Sequence, residues 1–294
     1  MEGFINLNKT KGMTSHDCID KIRKLLHIKK VGHGGTLDPA ATGVLPIAIG
    51  KATRLLQYLH EGKAYKATIR LGIVTTTDDL EGEIINSKSC NELTLDKIQG
   101  ELSNFIGKIE QIPPNYSAIH VQGKRLYELA RSGQIIDVPS REVEVYKIDI
   151  LDWRSGEFPE VELEIKCGPG TYIRSIARDL GTRLNVGGTL ANLIRSESAG
   201  MLLTNSVTLS DLENQIKTGI FQPISPGEIL SHLPMIKLSE LEVKKWCTGQ
   251  KLRIDQELKL GFIQIYDQEN KFLGIGDLIN DENGLLIIPK MVNI

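Results

Sequence analysis

The chain has 294 residues, 40% of them hydrophobic and 24% charged, and a formal net charge of -2. That length buries a sizeable core and suits one large domain with a smaller one, or two of similar size, in an ordinary globular protein. The start, MEGFINLNKTKGMTS, lacks the pattern of a secretory signal, and no stretch is long and apolar enough to span a membrane, so a cytoplasmic protein is expected.

Cys18, Cys90, Cys167 and Cys247 are far apart, with no C-x-x-C pair and no His at metal-ligand spacing, which predicts reduced thiols and no metal site. The charge is unevenly spread. Residues 1–70 hold 12 Lys and Arg against 5 Asp and Glu, a net +7, which leaves -9 for the remainder of the -2 total. A basic lobe of this kind fits a polyanion-binding face, and equally a solvated surface.

Residues 3–8 read as a strand. Thr14 or Ser15 can cap a helix in which Ile19, Ile22, Leu25 and Leu26 form the apolar stripe and Lys21, Arg23 and Lys24 fall largely off it. The helix leads into GHGGTLDPAATGVLPIAIGKATR, residues 32–54, the most unusual stretch of the chain. Asp38 stands there between Gly35 and Pro39, and Pro39 pushes it toward an extended backbone. The plain reading of Asp38 is a turn residue; the alternative is a carboxylate presented for chemistry. A phosphate-binding loop fails, because Leu45 stands where that motif needs Gly and Ala52 where it needs a hydroxyl.

A short helix is expected over 51–59, then a strand, AYKATIRLG, with Tyr65, Ala67, Ile69 and Leu71 on one face and Lys66, Thr68 and Arg70 on the other. Inward-facing Tyr65 suits a core residue. The acids of TTTDDLEGE do not match a calcium loop, which favours a turn with a structural acid. A helix over 94–106 capped by Thr94 precedes IPPNYSAIHVQGKRLYELARSG, where Tyr116, Lys124, Arg125, Tyr127 and Arg131 interleave aromatic and basic groups before Gly133. Such a loop-helix insert suits RNA contact, and packing explains the same residues.

Strands are expected around 142–151 and 160–167, the second alternating Val161, Leu163, Ile165 and Cys167 with Glu160, Glu162, Glu164 and Lys166. CGPGTYIRSIARDLGTRL then turns into a helix with Ile173, Ile176, Ala177 and Leu180 buried. Arg174 in its first turn is electrostatically misplaced unless an anion such as Asp38 offsets it; exposure to solvent is the simpler account. LSDLENQIKTG is a further helix. Pro223, Pro226, Gly227 and Pro234 mark a boundary, after which GFIQIYD and KFLGIGDL, joined by a tight turn, suggest a small β-rich domain.

The 32–54 stretch closely resembles the catalytic motif of the TruB family of tRNA pseudouridine-55 synthases. KTKGMTS, AYKATIRLG, TTTDDLEG, PPNYSAIHVQGKRLYELAR, GTYIRSIARDLG and the LIR at 193–195 follow in the family's order. One departure is Thr10, where the family usually has Pro. The resemblance implies an α+β fold: a mixed, mainly antiparallel sheet with flanking helices over 1–230, including an RNA-contacting insert at about 113–133, and a PUA-like RNA-binding domain over 231–294.

The resemblance also implies the chemistry, isomerisation of uridine 55 in the TΨC arm of tRNA, with no metal or organic cofactor. Asp38 would be the catalytic aspartate, as nucleophile or base. Tyr65 would stack on the flipped uracil and help remove its C5 proton; Tyr172 and Leu193 would line the uracil pocket. Arg174 would pair with Asp38, Asp79 would support the site, and His33 would fill space vacated by the flipped nucleotide. A monomer acting on tRNA without a guide RNA is expected. A guide-RNA-dependent relative of the dyskerin type, an RNA-folding protein without turnover and a glycoside hydrolase are the competing readings; the hydrolase is disfavoured because no second acid has an evident place.

Overall fold

The computed structural model describes residues 1–117, 119–121, 124–126, 138–255 and 258–292; Tyr127, Arg131 and Gly133 of the expected insert lie outside them. The chain opens with a strand, Gly3–Lys9 (β1), and a helix, Ser15–Leu26 (α1). Thr14 caps α1: its hydroxyl accepts from Asp17 N at 3.0 Å while the Asp17 carboxylate accepts from Thr14 N at 2.8 Å, so two otherwise orphaned donors are satisfied. After Val31–His33 (β2) and the Asp38 loop, the apolar run Thr42–Ile49 (β3) lies antiparallel to β1.

The near-continuous apolar sequence of β3 follows from burial on both sides. Leu45, Ile47 and Ile49 enter one core with α1, whereas Val44 and Ala48 enter a second with Phe4. Residues 51–59 coil as a 3-10 helix, Gly50–Tyr58, which covers the second core with Ala52, Leu55 and Tyr58.

Lys63–Leu71 (β4) shows the expected inward face: Tyr65, Ala67, Ile69 and Leu71 are buried. Thr68, expected outward, is also buried, because β4 is an inner strand and Thr68 is flanked by Glu162 and Asn192. A small ribbon, Ile73–Thr75 (β5) and Ile84–Ser87 (β6), brackets the acidic turn. The helix expected over 94–106 is α-helical only over Leu95–Leu102 (α2) and then tightens into a 3-10 turn. Gly107–Gln111 (β7) follows, then a short hairpin of His120–Val121 (β8) and Lys124–Arg125 (β9).

Arg141–Arg154 (β10) runs beyond the expected 142–151, with register shifts between Val145 and Lys147 and between Ile150 and Asp152 that hide its alternation from the sequence. Glu160–Cys167 (β11), Ile173–Arg183 (α3), Gly188–Ser198 (β12), Met201–Leu202 (β13) and Leu209–Lys217 (α4) complete the larger unit.

The strands form one sheet in the order β1-β3-β12-β4-β11-β10-β7, with β2 on β3 and β13 on β12. Every pairing is antiparallel except β3 with β12, which touch through Thr42 with Ile194 and Gly43 with Arg195. Helices α1 to α4 all pack on one face, contributing Cys18, Ile98, Ile176 and Leu212 among others.

The short helix Pro226–Ile229 (α5) leads to a second sheet built from Met235–Lys237 (β14), Leu252–Ile254 (β15), Gly261–Tyr266 (β16), Phe272–Asp281 (β17) and Gly284–Val292 (β18), in the order β14-β16-β17-β18-β15. Its core surrounds Trp246 on Glu240–Cys247 (α6), whose indole N–H donates to Leu273 O at 3.0 Å. The two sheets share a core in which Leu230, Ile275 and Met291 pack beneath Phe4, Val44 and Ala48. The fold is thus a mixed, mainly antiparallel α+β structure with a β-rich C-terminal unit, as expected.

The parallel β3–β12 contact demands glycine at position 43. Its φ is +105°, and a Cβ there would lie 2.3 Å from Arg195 O. Gly43→Ala is therefore expected to destabilise the protein by at least about 1–3 kcal/mol from backbone strain alone, read as a lowered midpoint in thermal unfolding.

Candidate active site

Three anchors hold the Asp38 loop from beneath. The Ser15 hydroxyl, at the start of α1, accepts from Leu37 N at 2.9 Å and donates to Leu37 O at 3.1 Å. Lys9, with no exposed surface, donates its ammonium to Thr10 O, Met13 O and Pro39 O at 3.1, 2.7 and 3.2 Å. Those bonds tie the Thr10 turn to the Asp38 loop, supplying rigidity where a prolyl ring is missing. The buried Arg195 of β12 donates to Gly35 O at 3.0 Å and Thr36 O at 3.2 Å. With the backbone held on both sides, Asp38 is presented at a fixed position rather than tolerated in a mobile turn.

Across from Asp38, β11 ends at Cys167 and the Gly168-Pro169-Gly170 turn starts α3, so Arg174 projects from the first turn of the helix. Its side chain is 5% exposed, and its Nη2 lies 3.0 Å from Asp38 Oδ2. Nη1 stands 3.5 Å from Asp79 Oδ2, and the same guanidinium donates to Thr77 O at 3.2 Å and Tyr116 O at 2.9 Å. A cation at the positive end of a helix is unfavourable; two carboxylates and two carbonyls offset it here.

Asp38, Tyr65, Tyr172, Arg174 and Leu193 line one cavity of about 230 Å³. That is below the usual range of roughly 300–1,000 Å³ for drug-sized ligands and suits a single flat base. Tyr172 is locked from two sides. Its backbone exchanges bonds of 2.7 and 3.0 Å with the Gln111 amide, and the Arg141 guanidinium sits 4.9 Å from the centre of its ring.

Asp79 stands behind Arg174 rather than in the cavity wall; its carboxylate accepts from the Thr77 hydroxyl at 2.5 Å and from Glu81 N at 3.1 Å. Its neighbour Asp78 pairs with Arg178 at 3.0 Å, so an arginine stands against each aspartate of the acidic turn. Among the described residues no group of three His, Cys, Asp or Glu could hold a metal ion. His33 does not line the cavity either. It sits at the loop edge, where its Nδ1 accepts from Gly35 N at 3.2 Å, and burial followed by the nearby Arg195 lowers its pKa, favouring the neutral ring.

Surrounding protein pushes the Asp38 carboxyl above its ordinary value; Arg174 opposes this and Asp79 adds to it. The side chain nevertheless keeps 40% exposure through the cavity mouth, so solvent and a ligand can both reach it. Burial also raises the Tyr65 phenol and lowers the Lys63 ammonium, which shares the cavity wall. Lys63 and Arg195 are cavity residues without an expected role; in sequence, Lys63 looks like any surface lysine, and only the LIR triplet pointed to Arg195.

A mixed, mainly antiparallel sheet thus brings one carboxylate, two buried arginines and an inward tyrosine to one base-sized cavity. The family model for TruB family pseudouridylate synthase, N-terminal domain, matches residues 23–173, and that for pseudouridine synthase II TruB, C-terminal, matches residues 234–292. The tRNA pseudouridine synthase B of Trichormus variabilis is 58% identical, covering 99% of this chain and 98% of the relative; that of Synechocystis is 52% identical, covering 99% of each. Among solved structures, an H/ACA RNP bound to a substrate RNA containing 2'-deoxyuridine aligns with a TM-score of 0.75 at 26% identity, over 99% of this chain and 85% of the other. A Cbf5-Nop10-Gar1 complex aligns with a TM-score of 0.74 at 29% identity, over 99% and 84%. The chain belongs to the TruB family of pseudouridylate synthases.

Because Arg174 is the largest charge holding the Asp38 carboxyl down, Arg174→Met is expected to raise the Asp38 titration midpoint further above the ordinary carboxylate value. Carbon-13 NMR of labelled aspartate, with Asp38→Asn to assign the signal, reads the change.

Proposed function

We propose that this protein isomerises uridine 55 in the TΨC arm of tRNA to pseudouridine, acting in the cytoplasm as a monomer and without a guide RNA. The reading is carried by the ion pair of Arg174 with Asp38, 3.0 Å apart in the wall of a base-sized cavity. The names of the relatives, tRNA pseudouridine synthase B, support the substrate.

The reaction breaks the bond from N1 to C1′, turns the uracil and rejoins it through C5. A lone carboxylate near the sugar suits it, as nucleophile at C1′ or as base toward a ribose proton. Asp38 takes that part, with Arg174 holding its charge and direction and Asp79 bracing Arg174 from behind. Tyr65 stacks on the flipped base and takes part in removing the C5 proton, while Tyr172 and Leu193 bound the uracil. His33, at the edge of the loop, occupies space left in the RNA arm.

Extruding the base costs roughly a few kcal/mol, which contacts to the RNA must offset. The lysines that α1 turns to solvent, Lys21 and Lys24, and the 113–133 insert serve that purpose, together with a PUA-like domain over 231–294 beside a catalytic domain over 1–230.

The likeness to H/ACA particles raises a second reading, in which a guide RNA selects the uridine. Purified protein incubated with an unmodified tRNA transcript and no other RNA separates the two, with pseudouridine mapped by a carbodiimide primer-extension stop. The stand-alone reading expects a stop at position 55. Stops only after a guide RNA is added, or only at other uridines, overturn the substrate assignment.

Asp38→Asn is expected to abolish the stop while tRNA binding persists; conversion by that variant would remove Asp38 from the chemistry. The same assay against pH tests the ionisation. Since the carboxylate is the active form and its pKa lies above the ordinary value, conversion falls as pH drops through that raised pKa. In Arg174→Met, conversion fails at a higher pH than in the wild type.

A further inference from the structure

Among the described residues, the charged side chains lining the base-sized cavity are Asp38, Lys63, Arg174 and Arg195. Arg174 is matched, by Asp38 at 3.0 Å and by Asp79 at 3.5 Å. Arg195 is not: it is 1% exposed, and its guanidinium is taken up by the carbonyls of Val44, Thr36 and Gly35, which lend dipoles but no charge. Lys63 has less still. Among the described residues its ammonium meets neither a carboxylate nor a carbonyl at bonding distance, although the cavity wall half-buries it.

The strand register fixes where Lys63 stands. It begins β4, between Cys167 on β11 and Ser198 on β12, two residues before Tyr65 and therefore on the same face of the strand. The two unmatched cations converge over Gly35. A Cβ built on that glycine would stand 3.7 Å from Arg195 Nη1 and 3.7 Å from Lys63 Cε, so the missing side chain leaves that corner of the cavity open between them.

Charge balance says what fits the corner. Lys63 and Arg195 bring two positive charges that no carboxylate pairs with among the described residues. Burial, then Arg195 on β12, weakens the Lys63 charge, and Cys167 on β11 and Glu61 just before β4 oppose this only in part. Such an excess is costly unless an anion arrives with the ligand. A uracil is neutral and would leave both cations unanswered. The nucleotide that carries it has a phosphodiester on either side, each with a negative charge and oxygens that accept from an ammonium.

We propose that Lys63, beside Arg195, binds a phosphate flanking the extruded uridine, so that the cavity holds the nucleotide by its backbone as well as by its base. The inference deepens the function proposed above and rests on it. Lys63 is a substrate-binding residue here, and Arg195, already bonded to three carbonyls, adds its field. A charge-assisted bond that forms only once the nucleotide has swung into the cavity offsets part of the cost of unstacking it.

The test is a cycle between protein and RNA. Unmodified tRNA assembled from synthetic fragments carries an uncharged methylphosphonate in place of the phosphate on the 5′ or the 3′ side of uridine 55; a 2′-deoxyribose beside it keeps the linkage intact, and the matching deoxy phosphodiester is the reference. Affinity is measured for wild type, Lys63→Met and Lys63→Arg, with thermal unfolding followed in parallel. Neutralising one of the two phosphates is expected to weaken wild-type binding about tenfold, the worth of one hydrogen bond to a charged group. Lys63→Met is expected to weaken binding of the reference RNA by a similar factor and to lose nothing further at that phosphate, a non-additivity that a merely structural lysine would not produce. Its plot of log affinity against log salt is flatter by about one unit of slope, and Lys63→Arg, which keeps the charge, stays near wild type.

Losses that multiply at both phosphates overturn the proposal and leave Lys63 facing the base itself, as does wild-type affinity in Lys63→Met. Should Lys63→Met not fold, Lys63→Gln takes its place in the same cycle. Conversion of ordinary tRNA by the wild type is assayed first: if no uridine is converted, the functional reading of the site fails, whereas conversion together with multiplying losses removes only the part given to Lys63.

Discussion

The pairing of Arg174 with Asp38 is the constraint on which the site depends. One guanidinium, buried at the start of α3, reaches the Asp38 loop, the Asp79 turn and the carbonyls of Thr77 and Tyr116. Three stretches of chain converge on it, and each supplies negative charge or a carbonyl dipole. Removing it would strand carboxylates against one another, so one side chain ties the acidic turn and Tyr116 to the Asp38 loop.

The sheet makes that convergence possible. β4 and β12 lie side by side at its centre and deliver Tyr65, Lys63, Leu193 and Arg195 to one end, while β3 and β11 on either side lead from the Asp38 loop and toward α3. All four helices shelter the face that carries Tyr65, and the C-terminal sheet covers part of the other. The cavity is consequently open at the mouth and firm behind, an arrangement suited to a base that enters from outside the protein.

Much of this could be read before any coordinates. Local sequence left Asp38 open between a turn residue and a presented carboxylate, and Arg174 between an anion partner and solvent; the resemblance to the TruB family pointed to their pairing. Alternation in β4 turned Tyr65 inward but could not separate a core tyrosine from a pocket wall, since both are buried. Lys9 and Arg195 were hidden for the opposite reason: a buried cation held by carbonyls leaves no partner residue in the sequence to betray it. The register shifts of β10 and the 3-10 geometry of residues 50–58 escaped because both break the periods by which strands and helices are recognised.

The bonds from Arg195 to the carbonyls of Thr36 and Gly35 span 159 and 160 positions of the chain. During synthesis the Asp38 loop is made early, yet its inner anchor emerges only after nearly two-thirds of the polypeptide. Contacts of such separation are closed late and slowly in folding. A chain that ends before β12 therefore lacks the group that holds the inner side of the Asp38 loop, and its cavity stays unfinished.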